Sequence, residues 1–343
     1  MTSPPIKENA NSRDARLVRL LAIALTLLAL GLVLSLAAGK EYVNPISLFT
    51  GAYSDDAHRK ALSTIVWSLR LPRALGAGLI GMSLALSGLL LQAYFRNPLA
   101  DPFILGVSSG AALGAAVKII FLPNIPIPLP VFALAGGFAL VSGVWLIARG
   151  VRGDETVTLL LSGVALSLLA GSLLSVLVLW GRPGEVGLVM RWLMGSLAGV
   201  GYREVAWLAA GAVAGLAISL ALSRELNAIL LGKTVAQSIG VDVRAVRLWV
   251  VGAATALAAL AVSAAGIVGF VGLVVPHIAR LIVGGGARRL VPVAAAIGAS
   301  ALVWCDLGAR AALPSGELPI GAATAIMGVP FFLWLMRRGR YLG

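Results

Sequence analysis

Residues that could do chemistry are few in this 343-residue chain, and they lie far apart. The histidines His58 and His277 and the single cysteine, Cys305, do not have the spacing of a metal-ligand cluster. One cysteine also excludes an internal disulfide framework. The sequence contains no paired carboxylates, no nucleophile with a nearby base and no HExxH pattern. We therefore expect neither catalysis nor a metal site in this chain.

Two motifs resemble nucleotide sites but lack the structural context that such sites need. Gly76-Ala77-Gly78-Leu79-Ile80-Gly81 fits G-x-G-x-x-G, yet it lies inside an apolar span and follows no strand. Leu231-Gly232-Lys233-Thr234 resembles the end of a phosphate-binding loop, but Asn227 stands where the first glycine belongs. Helix packing explains the glycines better. The chain is expected to bind no cofactor, so a partner must bind the nucleotide if ATP drives this protein.

The composition is that of an integral membrane protein. Hydrophobic residues make up 59% of the chain and charged residues 12%, with a mean hydropathy of +0.97. A soluble domain carries roughly 25% charged residues. The formal charge of +13 would suggest nucleic acid in a soluble protein, but no aromatic and basic array suited to it is present. Membrane topology explains the charge instead, and we expect no nucleic-acid partner.

Apolar segments predict an all-α polytopic membrane protein with about ten transmembrane helices. The predicted spans are 17–38, 70–95, 102–120, 130–148, 157–180, 203–222, 244–264, 275–283, 291–310 and 319–336. Residues 1–16 form a polar tail before a single transmembrane domain, 17–343. The first span exceeds the roughly 7–15 apolar residues of a signal peptide, so we interpret it as an uncleaved helix. The distribution of Lys and Arg predicts that both termini are cytoplasmic.

A weak internal repeat divides the chain into halves of about 17–180 and 190–343. Three residues recur at a constant offset of 178 residues: Gly88, Pro98 and Gly106 match Gly266, Pro276 and Gly284. Because each half holds an odd number of helices, five, the two halves would be inverted in the membrane. Inverted repeats are a common plan of transporters, with the pathway at the interface between the repeats.

The cytoplasmic segment 223–243 is predicted to contain a short amphipathic helix. Its loose apolar stripe consists of Leu226, Ile229, Leu230, Val235 and Ile239, and Gly240 suits a helix end. Such a helix either lies in a groove of a soluble partner or rests on the membrane surface. Periodicity alone does not separate these interpretations.

Arg70, Arg73 and Arg310 are exceptions to the inward charge bias, since each lies at the predicted outer end of a span. Snorkelling to the interface explains any one of them. As a group they are also able to form an external basic patch for an acidic docking partner. Asp306 and Glu317 lie near the same outer ends.

Several long motifs carry a family resemblance. The run LRLPR at 69–73 and RNPLADPFILGVSSGA at 96–111, with Gly266–Leu281 and Glu317–Gly321, resembles the permeases of ABC importers for iron-siderophore, haem and vitamin B12. The resemblance covers nearly all of 15–340. It implies a type II importer of the bacterial inner membrane: a homodimer with the pathway on its two-fold axis, two cytoplasmic ATPase subunits that bind ATP and Mg, and an extracytoplasmic binding protein.

The resemblance also assigns roles to residues of this chain. Residues implied to dock the binding protein are Arg70, Arg73 and Arg310. Residues implied to couple to the ATPase are Glu225, Leu226, Leu230, Ser238, Ile239, Gly240 and Val241. Residues implied to form the cytoplasmic gate are Asn97, Leu99, Thr156 and Val157. Val157 stands where some relatives have a small polar residue.

The fifth and tenth helices are implied to line the pathway. The predicted face of the fifth helix offers Thr158, Ser162 and Ser172 and no charge, so we expect weak contact with substrate and selection by the binding protein. The function predicted is import of an iron complex, such as a ferric siderophore or haem, or of vitamin B12. The alternatives are an ion-coupled secondary transporter, against which the lack of a mid-membrane acid weighs, and a channel or structural membrane protein.

Overall fold

The computed structural model describes residues 10–39, 43, 56–150, 155–313 and 316–337, and within them every regular element is helical. The first half contains α1 (Ala10–Ala37), α2 (Asp56–Thr64), a π-helical turn (Ile65–Arg70), α3 (Leu71–Phe95), a 3₁₀ turn (Pro102–Leu105), α4 (Val107–Ile120), α5 (Leu129–Gly150) and α6 (Glu155–Trp180). After α7 (Pro183–Met194), the second half contains α8 (Tyr202–Ala221), α9 (Ser223–Leu230), α10 (Lys233–Ser238), α11 (Val243–Ala265), α12 (Val271–Val283), α13 (Ala287–Ala311) and α14 (Ile320–Arg337).

The ten predicted spans are confirmed as helices. Seven described helices are long and apolar enough to cross a membrane, and three shorter apolar helices, α4, α12 and α14, complete the set. The starts of four helices differ from the prediction by four residues or more: α1, α12 and α13 begin earlier than predicted, and α4 begins later, at Val107. Helix α1 begins at Ala10, within the predicted tail, of which residues 1–9 lie outside the described residues. Helix α12 begins at Val271 and contains Pro276, because a proline is tolerated inside a helix that neighbouring helices enclose.

The two halves share a short third helix that follows an irregular connection. These helices are α4 and α12, and they follow α3 and α11 respectively. The connections hold Arg96 (φ 52°) and Phe270 (φ 67°), the two non-glycine residues with positive φ in the described part of the chain. The Gln92 amide nitrogen donates to the carbonyl oxygens of Gly272 and Leu273, each at 3.2 Å. One buried side chain thus joins the irregular regions of both halves.

The three residue matches that suggested the repeat do not mark equivalent places. Gly88 lies in the middle of α3, whereas Gly266 follows the end of α11. Pro98 lies in a turn and Pro276 inside a helix. The offset of 178 therefore does not align equivalent positions, and the division into halves of about 17–180 and 190–343 stays a prediction.

Helix α3 is the most enclosed of the long helices, and it packs against α8, α11, α12 and α13. A Cβ at Gly81 would fall on the carbonyl oxygen of Gly298 in α13, so the two backbones approach as closely as glycine allows. Gly81 ends the G-x-G-x-x-G motif, and the packing interpretation of that motif is confirmed. Gly110 and Gly114 of α4 similarly meet the backbone of Gly136 and Phe132 in α5.

Candidate functional site

The segment predicted to couple to an ATPase folds as two short helices, α9 and α10, joined at Leu231 and Gly232. We call this region the coupling end. Leu226 and Ile229 are fully buried, and they fix α9 against α3 and α13. The predicted apolar stripe is thus divided between a buried anchor and an exposed part.

The exposed part is a row of three apolar residues, Leu231, Val235 and Ile239, with 73%, 45% and 65% of their surfaces accessible. We call this row the coupling stripe. Its four-residue spacing places the side chains along one face of α10 and its flanks. Gly240 follows with φ +86°, a left-handed conformation that ends the helix as predicted. Three apolar side chains exposed in a row at a helix surface fit a contact with another chain or with the membrane surface.

The other predicted coupling residues surround this stripe. Leu230 is exposed, Val241 is half-buried, and the Ser238 hydroxyl donates to the Val235 carbonyl at 2.9 Å. Glu225 is half-buried, and its Oε2 atom lies buried without a hydrogen-bond partner among the described residues. These residues thus support the short helices or flank the stripe.

Lys233, the first residue of α10, connects the coupling end to the predicted gate. Its Nζ atom donates to the hydroxyl oxygen of Thr156 at 2.7 Å, and it lies 5.0 Å from the ring centroid of Tyr94. Thr156 is at the start of α6, and Tyr94 is buried in the last turn of α3. One cationic side chain therefore holds three elements together. Sequence reasoning assigned Lys233 only to a false nucleotide motif.

The predicted gate turn between α3 and the 3₁₀ turn is held by its own side chains. The Asn97 side-chain oxygen Oδ1 accepts from the Leu99 N–H at 2.9 Å, and Asp101 Oδ1 accepts from the Phe103 N–H at 2.8 Å. Burial raises the pKa of Asp101 to about 6, although the bond from Phe103 opposes that rise. Leu99 and Val157 remain exposed. The turn is thus held by local hydrogen bonds and exposes Leu99, while Val157 is exposed at the start of α6.

The opposite end of the bundle, where α3 begins, holds the three predicted docking arginines; we call it the arginine end. Arg70 Nη1 donates to the carbonyl oxygens of Leu36 and Ala37 at 2.8 and 3.0 Å. Arg310 Nη1 donates to those of Ser35 and Ala38 at 3.3 and 3.2 Å. These carbonyls lie at the end of α1 and have no partners within their helix. Two arginines therefore cap the first membrane helix.

Arg73 has different partners, both of them acidic. Its Nη2 atom lies 2.8 Å from Asp306 Oδ1, and its Nη1 atom lies 2.8 Å from Glu317 Oε2. Asp306 also pairs with Arg310 at 3.2 Å, one helical turn along α13. Sequence reasoning noted both acids but missed this pairing. The four-residue spacing of Asp306 and Arg310 was the signal that could have revealed part of it.

The structure brings the three arginines together, but it holds them within the protein. Arg70 is 9% exposed, and the Asp306 side chain is 2% exposed. Glu317 differs, because 41% of its side chain is accessible at the mouth of the cluster. The exposed member of the arginine end is therefore an acid that pairs with Arg73.

The three predicted pathway residues lie within about 80° of one another around α6, but the rest of the chain covers them to different degrees. Ser162 is buried, Thr158 is half-buried, and Ser172 is exposed with its hydroxyl donating to the Leu168 carbonyl at 3.0 Å. Their role in a pathway stays a prediction. The exposed face of α6 is instead almost wholly apolar, with Leu161, Leu168 and Leu179 prominent.

No group of three or more His, Cys, Asp or Glu residues suited to a metal ion occurs within the described part of the chain. The described residues place ion pairs at one end of the helix bundle and an exposed apolar row at the other.

Comparisons with known proteins agree with this architecture. The model of the FecCD transport family matches residues 27–338. The vitamin B12 import system permease BtuC of Escherichia coli O9:H4 is 37% identical over 96% of this chain and 98% of its own length. The Fe(3+) dicitrate transport system permease FecD of Escherichia coli K12 is 40% identical over 80% of this chain and 86% of its own length.

A solved structure described as an inward-facing conformation of a metal-chelate type ABC transporter superposes with a TM-score of 0.83. It is 30% identical, and the match covers 93% of this chain and 99% of that one. The family model and the relatives extend over the coupling end and the arginine end alike. The chain therefore belongs to the FecCD transport family and is a permease of the metal-chelate and vitamin B12 type of ABC importer.

Proposed function

We propose that this chain forms the membrane pathway of an ATP-driven importer, as a homodimer with two cytoplasmic ATPase subunits and an extracytoplasmic binding protein. The observation that carries the proposal is the coupling stripe beside Lys233. An exposed apolar row on a short helix fits a groove in a soluble partner. The bond from Lys233 to Thr156 connects that partner contact directly to the predicted gate.

The same contacts suggest how ATP drives the pathway. Closure of the ATPase dimer on ATP would shift α9 and α10, which are short and lie at the edge of the bundle. Lys233 passes that shift to the start of α6 and the end of α3, the two elements beside the gate turn. ATP changes the populations of inward- and outward-open states only if it favours one of them. The coupling end supplies the contact through which that preference acts.

The arginine end suits docking of an acidic partner, because a carboxylate of that partner can take the place of a carboxylate of this chain. Glu317 is exposed and pairs with Arg73, so a carboxylate of the binding protein could replace it without leaving a buried charge unpaired. Arg70 and Arg310 stay bonded to the end of α1 in this scheme. Arg73 is thus the residue that we assign to direct docking, and the other two position it.

The homodimer is supported by the exposed apolar faces of the fifth and tenth spans. On α6 this face includes Leu161 and Leu168, and on α14 it includes Ile326 and Met327. A two-fold axis beside these faces would enclose a pathway with little polar surface. Such a pathway holds substrate weakly, which leaves selection to the binding protein.

We propose a metal chelate as the substrate, either cobalamin or a ferric complex. The relatives include permeases for vitamin B12 and for ferric dicitrate at 37% and 40% identity. Both cargoes are organic chelates of a transition metal, and a pathway with little polar surface makes few specific contacts with the ligands of either.

The test is reconstitution of the chain with its ATPase subunits in liposomes. Binding protein loaded with cobalamin, a ferric siderophore, ferric dicitrate or haem is added outside, and uptake and ATP hydrolysis are measured. We expect uptake of one chelate to require ATP. Uptake that follows an ion gradient and ignores ATP would instead favour an ion-coupled secondary transporter.

A further inference from the structure

A basic cavity of about 590 Å³ lies at the coupling end, apart from the coupling stripe. Its walls come from the start of α1, the end of α12 and the start of α13. Arg16 and Leu17 form one side, and Gly284–Gly286 with Arg288 and Arg289 form the other. We call it the basic pocket. Neither the gate nor the arginine end contributes a lining residue.

The charge of this pocket is strongly positive. Three arginines from two separate helices line it, and Arg16 and Arg288 are exposed. Among the described residues that line it, none is acidic. Gly285 and Gly286 leave open space where side chains would otherwise stand. A concave surface of this kind attracts an anion with several oxygen acceptors, such as a phosphate ester.

The pocket also has an apolar side. Leu17, Leu281, Ile282 and Val283 contribute to its walls, and Leu281 is 41% exposed. The next residue of α1, Val18, is exposed as well and leads onto the outer face of that helix. Burial of apolar surface against these residues would stabilise a bound acyl chain but not a free inorganic anion.

The position of the pocket favours a lipid over a free anion. All three walls are ends of apolar helices: the candidate spans 15–37 and 287–311 begin here, and the apolar helix Val271–Val283 ends here. The pocket is therefore at the level where an apolar span meets water, which is the level of lipid headgroups. Basic pockets between membrane helices on the cytoplasmic side suit anionic headgroups.

We propose that the basic pocket binds an anionic phospholipid, with its headgroup phosphate between Arg16 and Arg288 and its acyl chains along α1 and the end of α12. The lipid would also steady the coupling end. Asn227 of α9 lines the pocket and accepts a hydrogen bond from the Ala287 N–H at 2.9 Å. A lipid bound in the pocket would thus stabilise the junction between α9 and α13 without contacting the coupling stripe.

The test measures lipid binding to the purified full-length permease by native mass spectrometry, without an ATPase. Phosphatidylglycerol is compared with phosphatidylcholine of the same acyl chains. We expect phosphatidylglycerol to bind at least about tenfold more tightly, and the R16Q/R288Q variant to lose about tenfold in affinity for it. The charge-conserving R16K/R288K variant should stay within about threefold of the wild type.

The matched control is Arg244→Gln, which removes an exposed arginine at the start of α11, outside the pocket. An equal loss in this control, or equal binding of both lipids, would overturn the proposal. Displacement of the lipid by inorganic phosphate alone would assign the pocket to a soluble anion and overturn the lipid assignment. Unchanged melting temperatures of the lipid-free variants show that folding is intact.

Discussion

At the arginine end of the bundle, charged side chains are buried and paired within the chain, whereas at the coupling end apolar side chains are left exposed. Arg73 and Arg310 share the buried Asp306, and Arg73 also pairs with Glu317, so these ion pairs form within the chain. At the coupling end, by contrast, the apolar side chains of the coupling stripe (Leu231, Val235 and Ile239) are exposed at the protein surface. Under the proposed function, the arginine end would have to exchange an internal ion pair for one with the binding protein, whereas the coupling end would only gain a contact with the ATPase.

This difference predicts that the two ends fail differently when they are mutated. At the arginine end, loss of one residue leaves buried charges without partners, so the effect falls on stability. At the coupling end, loss of an exposed residue leaves the fold intact, so the effect falls on assembly. Each prediction below compares a residue with a matched neighbour.

The largest effect is expected for Asp306→Ala. This change leaves Arg73 and Arg310 without their shared carboxylate in a buried site, which costs about 3–5 kcal/mol of unfolding free energy. The measurement is denaturant unfolding in detergent micelles. Glu317→Ala is the control, because Glu317 is exposed and its ion pair contributes about 0–1 kcal/mol. Equal losses in the two variants would show that the cluster is not a buried network.

The next largest effect is expected for Ile239→Asp in the coupling stripe. A charge at the centre of an apolar contact should weaken binding of the partner ATPase by about 2 kcal/mol, or roughly thirtyfold. Pull-down titration measures the affinity, and the unfolding free energy should not change. Gln237→Asp adds the same charge at an exposed position of the same helix. If Gln237→Asp weakens binding as much, the stripe is not the contact.

A smaller effect is expected for Lys233→Met, which removes the link between the two short helices and the predicted gate. Loss of its bond to Thr156 should lower ATP-driven uptake about tenfold, equivalent to about 1.4 kcal/mol, while ATP hydrolysis continues. Thr156→Val removes the same bond from the other side, and the double variant should be no worse than either single one. Additive losses would mean that the two residues act separately.

The sequence was sufficient to predict the transmembrane helices, because a run of about twenty apolar residues has few alternatives to a helix in a membrane. It was also sufficient to reject the G-x-G-x-x-G motif, whose Gly81 packs on Gly298. Periodicity within a segment found the coupling stripe only in part. Leu226, Ile229, Val235 and Ile239 are all aliphatic. Leu226 and Ile229 are buried because the helix bundle covers their side of α9, whereas Val235 and Ile239 are exposed.

Pairs that join distant parts of the chain were beyond sequence reasoning. Arg73 and Asp306 are in different halves, as are Thr156 and Lys233, and nothing local identifies either as a pair. The π-helical turn at Ile65–Arg70, which directly precedes α3, could not be predicted either, because hydropathy does not distinguish a π-helix from an α-helix. Both ends of the molecule are thus held by contacts between residues that lie far apart in the sequence.

The smallest effect is expected for Ser172→Ala on the exposed face of α6. The Ser172 hydroxyl already bonds to the Leu168 carbonyl of its own helix, so it has little left to offer a substrate. Uptake should stay within about twofold of the wild type, and competition between cobalamin and a ferric chelate should not change. Ser162→Ala is the matched control, because Ser162 is buried. A changed preference in Ser172→Ala alone would move substrate selection from the binding protein into the membrane pathway, and the contrast between the two ends would no longer account for specificity.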